Sequence, residues 1–135
     1  MFETLIQKLQ EDKYLTLETT PQHEPSMHNI IERIKKFKLQ DRVDGFSCTD
    51  NPLAKLKYNA LFASLKLQME FKKPVIATMT MRDRNKIALQ SDLMGANDFD
   101  VRAILALTKD PEKMSDQPHS KGVFEANSLM LLKII

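Results

Sequence analysis

Acidic or threonine side chains close four short apolar runs along this chain. These closing residues are Glu18, Thr49, Thr78 and Thr108, and they stand 31, 29 and 30 positions apart. An interval of about thirty residues fits one strand, one crossover helix and two loops, so the pattern predicts a βα repeat. Because helical crossovers join parallel strands, we expect the four polar residues at one edge of a sheet, where βα proteins carry their chemistry.

Glu18 is the first candidate for acid–base chemistry. It ends an apolar run, and Thr49 ends the next one along the chain. A carboxylate that barrel side chains partly desolvate can hold a proton near neutrality and act as a general acid. From the residues alone, a glutamate that caps the following helix or pairs with Arg82 or Arg84 is the alternative. Asp110, after the fourth run, allows the same two interpretations.

Other kinds of site fit the sequence poorly. With only three glycines, the chain has no glycine-rich loop for a dinucleotide phosphate. Its three histidines and Cys48 match no metal-ligand spacing, so we expect no metal. Cys48 lies on an apolar strand and is expected in the core rather than as a nucleophile.

Composition favours one soluble domain. The chain has 135 residues, 42% of them hydrophobic, and a net charge of +2 with its basic residues scattered among acids, so nucleic acid is not expected as a partner. Its N-terminus carries charges too early for a signal peptide, and no apolar run approaches the ~20 residues that span a bilayer. Together with a single cysteine, these features predict a cytoplasmic protein without a membrane partner.

Apolar stripes at helical spacing predict five helices around the four strands. The first spans residues 2–12 and is expected to cover one end of the sheet. Ser26 is the predicted N-cap of the second helix, Pro52 lies in the first turn of the third, and Gly95 is the predicted stop of the fourth. The last helix runs from Asn127 to the end of the chain.

Several motifs resemble the flavin-dependent methylenetetrahydrofolate reductases. They occupy residues 80–85 (Thr-Met-Arg-Asp-Arg-Asn), 89–96, 102–111 and 123–129. The resemblance covers residues 14–135 in order and is greatest to the reductase part of bifunctional homocysteine S-methyltransferase/methylenetetrahydrofolate reductase proteins.

The resemblance implies an α/β fold, the eightfold βα (TIM) barrel, with FAD at the carboxyl ends of the strands. A complete barrel usually takes ~250 residues, so residues 1–135 are expected to form the N-terminal half of an FAD-binding barrel, about four βα units. The apolar helical end of the chain is interpreted as a truncation in mid-helix. Such a half-barrel is expected to be inactive alone and to form a homo-oligomer.

The resemblance also assigns roles to residues. Glu18 matches the family's acid, which opens the methylene bridge of the folate, and Asp110 matches the aspartate that lies beside the flavin and assists folate reduction. Many members have histidine in place of Thr78, arginine in place of Thr108 and glycine in place of Lys109. The expected FAD-binding positions are Thr49, Thr78, Thr108, Lys109 and Asp110.

The implied function is reduction of methylenetetrahydrofolate to methyltetrahydrofolate by NAD(P)H through FAD, feeding methionine synthesis. Two alternatives stay open at this point. One is a pterin- or folate-binding barrel of the methyltransferase type without a flavin. The other is an inactive, truncated fragment.

Overall fold

One parallel sheet organises the molecule. The computed structural model describes residues 1–108, 111–123, 125 and 127–135. The strands lie in the order β1-β2-β3-β4 and are all parallel, as the βα repeat predicts. Their bounds are β1 Thr16–Thr19, β2 Gly45–Cys48, β3 Val75–Thr80 and β4 Ala103–Leu107. The helices are α1 Phe2–Glu11, α2 His28–Lys36, α3 Ala60–Phe71, α4 Lys86–Asp98 and α5 Ser128–Ile134.

Helices α2 to α5 pack on one face of this sheet. Phe46 and Val75 are register partners, and they lie in a buried cluster with residues of α2 and α3. Met79, on the same face of β3, lies in a second cluster with residues of α3, α4 and α5. On the opposite face of β4, Leu105 and Leu107 remain 48% and 40% exposed. A parallel sheet with helices on one face is the arrangement of a βα barrel, of which four units make half.

Helix α1 lies across the amino-terminal ends of the strands, as predicted. The α-amino group of Met1 and the N–H of Phe2 donate hydrogen bonds to Asp100, before β4, at 3.0 and 3.2 Å. Lys8 reaches Asp44, before β2, with 3.7 Å between Nζ and Oδ1. The end of the sheet opposite the predicted site is thereby covered.

The predicted start of the third helix at Pro52 is wrong. Residues 52–54 form a short 3-10 turn, in which Leu53 has a left-handed φ of 56°, and α3 begins only at Ala60. Asn59 sets this start because its Oδ1 accepts hydrogen bonds from the N–H groups of Leu61 and Phe62 at 2.9 and 3.1 Å. The apolar periodicity before Asn59 therefore did not belong to the helix.

The predicted stop at Gly95 is also wrong, whereas the cap of the second helix is nearly right. Helix α4 continues through Gly95 to Asp98, and the chain turns only at Asp100, which has a φ of 61°.

Ser26 Oγ accepts a hydrogen bond from the N–H of His28 at 3.0 Å, so it caps α2 from one position before the assigned N-cap. Within the described parts of the chain, no helix is long and apolar enough to cross a bilayer.

Candidate active site at the carboxyl edge of the sheet

The register of the sheet gathers the predicted site residues on its open face. Glu18 pairs with Ser47, so the two side chains share a face, and Thr49 follows Ser47 two positions later on that face. Thr78 pairs with Leu105 in the same way on the next two strands. One concavity of about 190 Å³ is lined by Glu18, Thr49, Asp50, Pro52, Thr78, Leu105, Leu107 and Thr108. Four of the six predicted site residues therefore meet at one place.

The three threonine hydroxyls differ in what they already bind. Thr49 donates a hydrogen bond to Thr20 Oγ1 at 3.2 Å. Thr108 donates one to Ser128 Oγ, in the first turn of α5, at 2.9 Å. Thr78 is 6% exposed, and its hydroxyl makes no hydrogen bond to another residue that the structure describes. The hydroxyl of Thr78 is therefore available to donate a hydrogen bond to a ligand in this concavity.

Glu18 differs from the expectation in one respect. Its side chain is exposed rather than partly desolvated, because the face of the sheet on which it lies is uncovered. Among the described residues it has neither an ion pair nor a hydrogen bond, so it neither caps α2 nor pairs with Arg82 or Arg84. The carboxylate is free to meet a ligand, but these four strands do not bury it.

One lining residue of the concavity, Asp50, forms a buried ion pair that the sequence did not reveal. Asp50 is 1% exposed, and Arg84 reaches it with Nη1–Oδ2 and Nη2–Oδ1 distances of 2.6 and 3.4 Å. Thr80 Oγ1 also donates to Asp50 at 3.3 Å, and Arg84 Nε donates to Asp92 at 3.0 Å. Asp50 directly follows Thr49, which is the signal in the sequence that could have pointed to it.

The electrostatics of this pair favour the charged guanidinium. Burial disfavours the charge on Arg84, but the attraction and hydrogen bonds of Asp50 and then Asp92 outweigh that penalty and raise the pKa of Arg84. Asp50 therefore lies beside a permanent cation. The loops that follow β2 and β3 are joined by this contact, and Arg82 adds a second one by donating to the carbonyl oxygen of Asn51 at 3.3 Å.

The remaining candidates from the sequence do not line this concavity in the described part of the chain. Cys48 is fully buried in the core, as predicted, with its Sγ 3.3 Å from Thr19 Oγ1. Burial raises the pKa of the Cys48 thiol, although hydrogen bonds with Thr19 and Ser64 partly oppose the rise. Lys109 and Asp110 lie outside the described residues, so their expected roles stay predictions.

A one-sided parallel sheet, with polar residues gathered at the carboxyl ends of its strands, defines a protein of the βα-barrel class. Residues 2–134 match the sequence profile of the methylenetetrahydrofolate reductase family. The chain therefore belongs to that family, which confirms the resemblance seen in its motifs. The family is one of oxidoreductases that act on a folate and are generally flavin-dependent. No curated protein matches the chain significantly.

Proposed function

We propose that this chain takes part in the reduction of methylenetetrahydrofolate to methyltetrahydrofolate by NAD(P)H through FAD, in the cytoplasm and in support of methionine synthesis. The observation that carries the proposal is the meeting of Glu18, Thr49, Thr78 and Thr108 around one concavity. Residues 1–135 then form the first half of an FAD-binding barrel.

The lining of the concavity suits a flat heteroaromatic ring. Leu105 and Leu107 offer exposed apolar surface for the faces of such a ring. At its edge, Thr78 offers a hydroxyl as donor, and Thr49 Oγ1, whose proton is given to Thr20, offers an acceptor. These residues, with Thr108, would hold the flavin of FAD. When bound, FAD carries a hydride from NAD(P)H to the folate.

Glu18 is proposed as the proton donor to the nitrogen whose bond to the bridging carbon of the folate breaks. No described residue occupies its carboxyl group, so the proton can pass to a ligand without breaking an ion pair. A ligand stacked on the open face would also cover Glu18 and supply the desolvation that the four strands alone do not. The family resemblance alone adds two further roles to the proposal. Lys109 would lie beside the flavin, and Asp110 would assist folate reduction.

Titration of free FAD with the purified chain, followed by flavin fluorescence and absorbance, is the first test. We expect saturable binding that Thr78→Ala weakens and that Thr4→Ala, an exposed threonine on α1, leaves unchanged. Because the half-barrel is expected to be inactive alone, oxidation of NAD(P)H that depends on both FAD and methylenetetrahydrofolate is expected only when these residues form part of a complete barrel.

Other outcomes would overturn the proposal in distinct ways. Binding of the folate without FAD would favour the methyltransferase-type barrel. Binding of neither, by protein that is folded, would favour an inactive fragment.

A further inference from the structure

A second cavity, of about 220 Å³, lies among the loops that follow β2, β3 and β4. It shares one short loop with the concavity described above. Asp50 and Pro52 line the concavity, whereas Asn51 and Ala54 line this cavity. Consecutive residues thus contribute to the two spaces, and a ligand that lies over the concavity has the cavity beside it.

Hydrogen bonds between the loops hold this cavity in shape. The N–H of Leu56, after β2, donates to Asp116 Oδ1 at 3.0 Å. The N–H of Val123 donates to the carbonyl oxygen of Arg82, after β3, at 2.6 Å. The segment that follows β4 is therefore joined to both of the other loops, and the described residues alone form the cavity.

The lining of the cavity carries positive charge. Lys55 and Lys121 line it, and neither makes an ion pair with a residue that the structure describes. The charge of Arg82 in the same lining is offset by Asp83, to which Arg82 Nε and Nη2 donate at 2.7 and 2.5 Å. Neutral hydroxyl and amide groups complete this surface, namely those of Ser115, Gln117 and Ser120. Two ammonium groups among neutral donors favour a ligand with two negative charges.

Carboxylates suit this lining better than phosphates do. Phosphate groups are commonly bound by clustered backbone N–H groups, with glycine allowing close approach, or by the fork of an arginine. Arg82 already donates to Asp83, and no glycine is among the described residues that line the cavity. The substrate of this family is a folate, and the glutamate tail of a folate ends in carboxylates.

We propose that Lys55 and Lys121 bind the glutamate carboxylates of the folate in this cavity and give the enzyme a preference for substrates that carry a glutamate tail. Ser115, Gln117 and Ser120 can donate hydrogen bonds to the same carboxylates. The assignment rests on the proposed function, because it requires the ring of the folate to lie over the neighbouring concavity.

Two substrates separate the tail from the ring. One is methylenetetrahydrofolate with three glutamates, and the other is the corresponding pteroate, which has none. In the FAD-loaded enzyme, with these residues in a complete barrel, Lys55→Gln and Lys121→Gln should each raise the KM for the triglutamate by roughly 3- to 10-fold and leave its kcat nearly unchanged. Neither variant should change the KM for the pteroate, and that result also shows that the variants are folded.

Lys66→Gln is the matched control. It removes the same charge from an exposed position on α3 that does not line the cavity, so both KM values should stay unchanged. The dissociation constant for FAD, measured by flavin fluorescence, should also be the same in the parent and in all three variants.

Three results would overturn the assignment. An unchanged KM for the triglutamate in both cavity variants, with folate turnover intact, would remove the tail from this cavity and leave the proposed function standing. Weaker binding of FAD, with the KM for the triglutamate unchanged, would assign the cavity to the phosphates of the cofactor. Failure of the parent enzyme to bind either folate substrate would contradict the proposed function itself, and this assignment with it.

Discussion

Arg84 donates hydrogen bonds to both carboxylate oxygens of Asp50, and the two residues are 34 positions apart in the chain. Asp50 directly follows Thr49, and Arg84 lies in the loop after β3, the strand that carries Thr78. The buried pair therefore fixes two neighbouring strand ends, and with them two of the threonines that line the concavity.

Breaking this pair should be costly. Arg84→Met leaves the Asp50 carboxylate buried without its main partner, and we expect a loss of about 3–5 kcal/mol in the free energy of unfolding. Urea denaturation measures it. Arg102→Met is the control, because Arg102 makes its ion pairs with Glu3 and Asp100 at the surface and should cost about 1 kcal/mol or less. Equal losses in the two variants would contradict the structural role given to Asp50 and Arg84.

Two glycines should respond to alanine in opposite ways. A Cβ at Gly45 would lie 2.0 Å from Tyr14 Oη and 2.3 Å from the carbonyl oxygen of Pro74, and the second atom is backbone that cannot move aside. We expect Gly45→Ala to destabilise the protein by about 2 kcal/mol or more. A Cβ at Gly95 meets nothing within 4 Å inside α4, so Gly95→Ala should stabilise by about 0.5–1 kcal/mol. Thermal unfolding should show a lower melting temperature for Gly45→Ala and a higher one for Gly95→Ala. A higher melting temperature for Gly45→Ala would contradict the packing described for Gly45, and a lower one for Gly95→Ala would contradict the open space beside Gly95.

Tyr14 should give the stability of the protein an alkaline limit. Burial, and then the negative charge of Asp44, raise the pKa of Tyr14 to about 12 from an ordinary value of about 10. Because the fold favours the neutral phenol, this contribution is complete below pH 10 and is lost as the pH rises to about 12. Unfolding free energies measured across this range should fall less steeply in Tyr14→Phe than in Tyr58→Phe. Identical profiles would contradict the raised pKa of Tyr14.

Cys48 should be inert in the folded protein. Its side chain is fully buried and burial raises the pKa of its thiol, so little reactive thiolate is accessible. A colorimetric thiol reagent should modify Cys48 only at the rate of unfolding, and completely in urea. Rapid modification without denaturant would instead place Cys48 at an accessible site.

The repeat and the position of the site could be predicted because both follow from local rules. Strand, crossover and loops fix an interval of about thirty residues, and right-handed crossovers bring Glu18, Thr49, Thr78 and Thr108 to one edge. The pairing of Asp50 with Arg84 could not be predicted, since it depends on the register of two loops rather than on spacing. The sequence predicted that α3 begins at Pro52, where the apolar periodicity starts. The left-handed backbone of Asn51 and Leu53 and the N-cap at Asn59 instead place its start at Ala60.

The exposure of Glu18 also follows from long-range structure. A residue at a strand end can be assigned to a face from the pattern, but whether that face is covered depends on what packs against it. Four strands with helices on one side leave the other side open, so the environment expected for Glu18 would require the rest of a barrel or a bound ligand.

In the proposed reaction, Glu18 supplies the proton for folate reduction at the carboxyl edge of the sheet. Rapid mixing of the FAD-loaded enzyme, in which these residues form part of a complete barrel, can follow the two half-reactions separately, namely flavin reduction by NAD(P)H and flavin reoxidation by methylenetetrahydrofolate. Gln keeps the size of Glu18 but has no acidic proton, so Glu18→Gln should slow reoxidation by about 10²- to 10⁴-fold and leave flavin reduction nearly unchanged. Reoxidation by the folate within a few-fold of the parent rate would contradict proton donation by Glu18.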